Sequence, residues 1–112
     1  MAITVKQLAK GALTTAADLY VTPQNKTAII KNIRLVNTTG AAVTVNLYLK
    51  RGSGGTQYRI APVSMSLPAN AMYVDDTEIT LEGGATVGTT DDRIYGDAAA
   101  TVHYVISGIE RD

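Results

Sequence analysis

The sequence predicts an all-β domain, an antiparallel β-sandwich of jelly-roll-like form with eight to nine short strands. Three observations carry this. First, 15 Thr, 10 Val and 9 Ile make 34 of 112 residues β-branched, and such side chains are stiff at χ1 and fit a pleated surface better than a helix. Second, ten Gly and three Pro punctuate the chain, so no apolar stripe at helical spacing runs for three turns uninterrupted. Third, short runs of strand-forming residues recur between turn signals about every eight to twelve residues, the spacing of sandwiches and barrels. With no helix to carry a crossover, the strands must pair antiparallel.

Taken in order, residues 2–13 (AITVKQLAKGAL) read as an arm or a first strand, and residues 17–22 (ADLYVT) as a short strand. Pro23-Gln24-Asn25 forms a turn, Pro presetting φ and Asn tolerating the left-handed region. Residues 27–37 (TAIIKNIRLVN) form a long strand whose core face is expected to hold Ile29, Lys31, Ile33, Leu35 and Asn37. Thr38-Thr39-Gly40 is expected to close a hairpin with residues 41–50, where Val43, Val45, Leu47 and Leu49 alternate with Thr44, Asn46, Tyr48 and Lys50. The RGSGGT segment reads as a flexible hairpin tip. Strands follow at 56–61, 71–75, 77–82, 85–89 and 92–96, with an edge strand or extended link between Pro62 and Pro68 and a turn at Gly83-Gly84. The last strand, 101–109, turns Val102, Tyr104 and Ile106 to one face. The chain therefore divides into residues 1–13, the arm or first strand, and a single sandwich domain over 14–112.

Cys is absent, which excludes disulfides and thiolate metal sites. Lys6 and Lys10 break the apolar start, against a signal-peptide core, and no run approaches a membrane span. The chain is expected to be made and kept soluble in the cytoplasm of the producing cell. Net charge is zero, yet residues 1–59 hold eight Lys/Arg and one acid (+7), and residues 60–112 hold two bases and nine acids (−7). Either the halves interleave and mix their charge, or they form two opposed surfaces that favour contacts between copies or with a charged lattice.

Catalytic chemistry finds little footing. His103 is the only His, and triads and metal sites need His with convergent partners. Asp75-Asp76 and Asp91-Asp92 flank turns, where Asp bonds local backbone and stays solvated; a weak cation site is the alternative. The Gly-rich tip lacks the Gly-Lys-Ser/Thr ending of a phosphate loop. Six Tyr lie scattered, without Phe or Trp, which argues against a nucleic-acid platform. Lys31, Arg34, Lys50 and Arg51 would form a basic strip if their two strands paired. Tyr48, Tyr58 and Tyr73 would be the aromatic platform of a carbohydrate-binding module.

The run LYVTPQNKTAIIKNIRLVNTTGAAVTVNLYL, followed by LPAN, LEGGATV and a closing VHYVISGIE, resembles small β-sandwich structural proteins of tailed bacteriophages over residues 19–110. The resemblance implies a non-enzymatic virion component without cofactor or catalytic and metal residues. Its most direct form is a capsid decoration (cement) protein that clamps the major capsid protein, as a homotrimer, with neither nucleic acid nor membrane as partner. A tail, fibre or head–tail accessory role is the alternative. Open sheet edges and a free arm are ready-made for assembly. The expected assembly residues are Ile3, Val5 and Leu8 in the arm and Lys50 and Arg51 beside the tip.

Overall fold

The computed structural model describes residues 5–76, 78–86 and 88–111. Among the described residues ten strands form: β1 (Lys6–Leu13), β2 (Ala17–Val21), β3 (Thr27–Asn37), β4 (Val43–Arg51), β5 (Tyr58–Arg59), β6 (Met65–Leu67), β7 (Met72–Asp75), β8 (Ile79–Glu82), β9 (Asp92–Ala98) and β10 (Val102–Arg111). Their pairing is nested. β1 pairs β10, β2 pairs β9, β3 pairs β7 and β8, and β4 pairs β5 and β6, all antiparallel. Further pairs, β10 with β3 and β9 with β4, complete two sheets. The first runs β1-β10-β3-β7 with β8 beside β3; the second runs β2-β9-β4-β5 with β6 beside β4. First pairing with last, and second with next-to-last, is a long ribbon rolled into two layers, the jelly roll.

The core lies between the layers. Leu13, Ile30, Ile33, Leu35, Val102 and Ile106 enter it from the first sheet, and Leu19, Val43, Val45, Leu47 and Ile94 from the second. The alternation of β4 is borne out: Val43, Val45 and Leu47 are buried while Thr44 is exposed. So is the inward face of β10, with Val102 and Ile106 fully buried.

The expected hairpin between residues 27–37 and 41–50 does not form. β3 and β4 belong to different sheets, and Thr38–Ala42 arches across the sandwich. Each strand must bury an apolar face, and facing each other across the core buries both. The fully buried Asn37 holds the arch. Its Nδ2 donates to the carbonyls of Ala41, Leu67 and Pro68 at 2.8, 2.9 and 3.0 Å, and its Oδ1 accepts from the Thr39 amide and hydroxyl. One amide side chain thereby bonds the arch, the end of β6 and the turn after it, where the Pro68 carbonyl also accepts from the Ala71 amide at 3.0 Å.

The inward face of β3 was half right. Ile33, Leu35 and Asn37 are buried as expected, but toward the start of the strand Ala28 and Ile30 are inside, and Ile29 and Lys31 are not. The register explains this. Ser107 lies opposite Asn32 and Gly108 opposite Ile30, so Lys31 is an extra residue on β3. A bulge of one residue inverts the facing of everything beyond it. A Cβ on Gly108 would lie 2.1 Å from the Ile29 carbonyl oxygen, so only glycine permits this approach. The β7–β8 break falls at the same level, where Lys31 pairs with Glu78. A similar skip at Leu19 on β2 lets the consecutive Leu19 and Tyr20 both turn inward.

Other segments differ more simply. Residues 6–13 are a true first strand, paired to β10 along their length and ending on the fully buried Leu13. No strand forms over 85–89; its described residues are turns and bends. The 56–61 strand shrinks to Tyr58–Arg59, because Pro62 and the positive φ of Ser64 (48°) end the pairing. The turn at Asn25 is as expected, with Asn25 at positive φ (59°), and Asn70 before β7 also takes a positive φ (58°).

Candidate assembly surfaces

The outer face of the second sheet is polar and internally cross-linked. Tyr48 and Tyr95 are cross-strand partners with ring centroids 6.1 Å apart. The Lys50 ammonium sits 4.1 Å from the Tyr95 ring centroid, and the Arg59 guanidinium 4.9 Å from that of Tyr48. Asn46 donates to Asp97 at 2.9 Å and accepts from Arg59 at 2.7 Å and from the Ser64 amide at 2.8 Å. Beside this network is a buried ionic cluster. Arg93 donates to Asp91 from Nε and Nη2 at 2.9 and 2.7 Å, and to Asp18 from Nη1 at 2.8 Å. Asp91 has no exposed surface. Burial raises its carboxyl, but the Gly88 amide and the Arg93 guanidinium outweigh burial and hold it below the ordinary carboxylate range.

Asp91 bonds local backbone at its turn, as expected, through the Gly88 amide, but it is buried in an ion pair with Arg93 and not solvated. The Asp91–Arg93 spacing carried the signal: Asp91 directly precedes β9, and residues two apart in extended chain share a face. The Gly-rich tip is not loose either. The Gly52 amide donates to the Asp91 carbonyl at 2.7 Å and the Ser53 amide to the Gly88 carbonyl at 3.0 Å.

The expected assembly residues fall in three places. Ile3 lies outside the described residues. Val5 is exposed just before β1, and Leu8 packs partly on the core at the outer edge of the first sheet. Lys50 is only 8% exposed, and its ammonium also donates to the Ser53 carbonyl at 3.1 Å. Arg51 is exposed but grips Asp92 with Nε and Nη2 at 3.0 and 3.2 Å. The four-residue basic strip does not exist, because Lys31 and Arg34 are on one sheet and Lys50 and Arg51 on the other. Nor do the three tyrosines form one platform: Tyr48 and Tyr58 belong to the second sheet, Tyr73 to the first.

The charge halves interleave. Lys6 pairs with Glu110, Lys31 with Glu78, Arg51 with Asp92, and Arg93 with Asp18. Each pair joins one half of the sequence to the other, as nested pairing of early with late strands requires. Two opposed charged surfaces are therefore not formed.

The outer face of the first sheet is different in kind. The registers align Ala12, His103, Val36 and Met72 in one row across four strands. The adjoining row is Lys10, Val105, Arg34 and Val74. None of these side chains is buried, and Met72 and Val74 are 55% and 44% exposed. The sequence reading missed this surface, since a short alternating run such as AMYVD does not declare which face is covered. His103 is exposed on this face. Among the described residues no group of three or more His, Cys, Asp or Glu is placed to hold a metal ion. Among the described residues no helix is long and apolar enough to cross a membrane.

Fold and surfaces together define an all-β jelly-roll sandwich whose prominent features are outer faces and open edges. Among solved structures, the chain is similar to a chain in the structure of the infectious bursal disease virus Gx strain, with a TM-score of 0.54 and 11% identity. The match covers 97% of this chain and 32% of that one, so this chain spans about a third of the length of the solved chain. At that identity the likeness is one of fold. No family model and no curated protein matches the chain.

Proposed function

We propose that this chain is a non-enzymatic structural component of a virus particle. Its specific role is a decoration protein that binds the major capsid lattice of a tailed bacteriophage and self-associates as a homotrimer. The observation that carries this reading is the nested jelly roll, matched over nearly its whole length by part of a chain from a virus structure. The open edge of β1, with Val5 and Leu8 on or near it, supports self-association by strand addition. Ile3 belongs to the same proposed contact.

The test is mass spectrometry and electron microscopy of purified particles of the virus that encodes the chain, together with native mass of the isolated protein. The expected results are a copy number comparable with the capsid protein, density on the capsid exterior, and a species of three 11.8 kDa chains. Absence from the particle overturns the reading. Density confined to the tail replaces the decoration role with a tail accessory one.

A further inference from the structure

We infer that the outer face of the β1-β10-β3-β7 sheet is the surface through which this protein docks, and that its partner is a protein surface both apolar and acidic. The inference rests on the proposed particle role and names the contact within it.

Four observations converge. The two rows described above leave Val36, Val105, Met72 and Val74 contiguous, Met72 and Val74 exposed and Val36 and Val105 half-buried. Exposed apolar groups that adjoin one another mark interaction sites, whereas isolated ones do not. Second, the only charges in these rows are the cations Lys10 and Arg34. Elsewhere Lys6, Lys31, Arg51 and Arg93 are paired within the molecule, but Lys10 and Arg34 form no salt bridge among the described residues. Third, a shallow open depression runs between β1 and β10, lined by Lys10, Gly11, Ala12, His103, Tyr104 and Val105. It offers a seat for a protruding side chain. Fourth, the area suffices. Four strands side by side span about 19 Å at Ile33–Val36, and β8 continues the face toward the start of β3, whose eleven residues span about 36 Å. The face is therefore at most about 700 Å², within reach of the roughly 800 Å² per partner of a standard interface when its rim contributes.

Charge decides the occupant. A second copy docked face to face would set these cations against their own kind, which costs affinity. Carboxylates on a different protein would complement them. A nucleic acid needs more cations and stacking rings than the face offers, for it holds two cations and no Trp, Phe or exposed Tyr in the two rows.

The test is hydroxyl-radical footprinting of the protein free and on purified particles, with the Lys10→Glu/Arg34→Glu variant alongside. Met72 reports the first sheet, and Tyr58, 67% exposed on β5, reports the second. Met72 should be protected on the particle and Tyr58 should not. The double variant should keep the wild-type circular dichroism and melting midpoint and lose at least about tenfold in attachment. Wild-type attachment should weaken as salt rises from about 0.05 to 1 M, as exposed pairs are screened. Protection of Tyr58 with Met72 left reactive overturns the inference and leaves the particle role standing. Absence of the protein from particles overturns the particle role itself. Charge-dependent binding of the wild type to phosphatidylserine vesicles or duplex DNA, with particle attachment unaffected by the double variant, overturns the protein partner.

Discussion

The Asn37 side-chain amide donates to the Leu67 carbonyl at 2.9 Å and so joins β3 of the first sheet to β6 of the second. The two residues are thirty apart in sequence, and the contact sits where the chain arches between layers. Replacing Asn37 with Ala removes the donor from three carbonyls and an acceptor from Thr39. An unsatisfied buried group costs about 1–3 kcal/mol, so Asn37→Ala should lose about 2–4 kcal/mol in urea unfolding. Asn37→Asp should lose more, because a carboxylate would face three carbonyl oxygens. A variant within 0.5 kcal/mol of wild type (about the scatter of ordinary surface changes) would show that the arch holds without this amide.

Gly108 faces the β3 bulge with the Ile29 carbonyl in the space of its missing side chain. Gly108→Ala must push two strands apart or dissolve the bulge. Dissolving the bulge would invert Ala28 and Ile30, both fully buried. The substitution should cost at least the upper end of the roughly 1–3 kcal/mol typical of overpacking. Gly40→Ala, with open space around the added methyl, serves as the control and should melt within about two degrees of wild type.

Lys50 contributes to folding through its contacts with Tyr95 and Ser53. Lys50→Met keeps the aliphatic stem and loses the cation over the ring, worth up to about 2 kcal/mol when desolvated. Lys50→Glu should be worse, placing a carboxylate against the Ser53 carbonyl. Thermal melts of the isolated protein check this. If Lys50→Glu melts like wild type, the ammonium is not held as the structure has it, and Lys50 returns as an assembly residue.

Stability should fail on the acid side. Burial raises the Glu110 carboxyl, but the Lys6 ammonium and the Tyr20 hydroxyl outweigh it and hold Glu110 below its ordinary 4.5. Asp91 is likewise held below 3.8. A folded pKa below the unfolded one gives stability that is complete above the unfolded value and lost as pH falls through the folded one. The melting midpoint should be level from about pH 6 to 8 and drop below about pH 4. Glu110→Gln should lower the plateau and make the drop shallower. Equal midpoints at pH 3 and pH 7 would contradict these contacts.

Much of this architecture was legible in the residues. The alternation of Val43, Val45 and Leu47 in β4 was read correctly, because a period of two in apolar residues follows directly from the pleat. The turn at Asn25 was legible because few residues other than Gly adopt positive φ at low cost, and Asn is one of them. Fold class followed from the same local signals.

What local signals do not contain is the partner. Thr38-Thr39-Gly40 reads equally as a hairpin turn or as an arch between layers, and only burial of both β3 and β4 against a shared core selects the arch. The phase of β3 depends on a bulge whose cause, Gly108, lies on another strand. Lys50 and Arg51 looked like free charge beside a loose tip until nested pairing brought Tyr95 and Asp92 to them. The exposed face holding Met72 and Val74 was likewise invisible, since exposure is set by which layer covers which. The sequence by itself determined the all-β sandwich class, most of the strands and the turn at Asn25, all consequences of backbone preference and period. Only the tertiary structure decided pairing, phase and free surface, because each depends on long-range contacts that no short stretch of chain encodes alone.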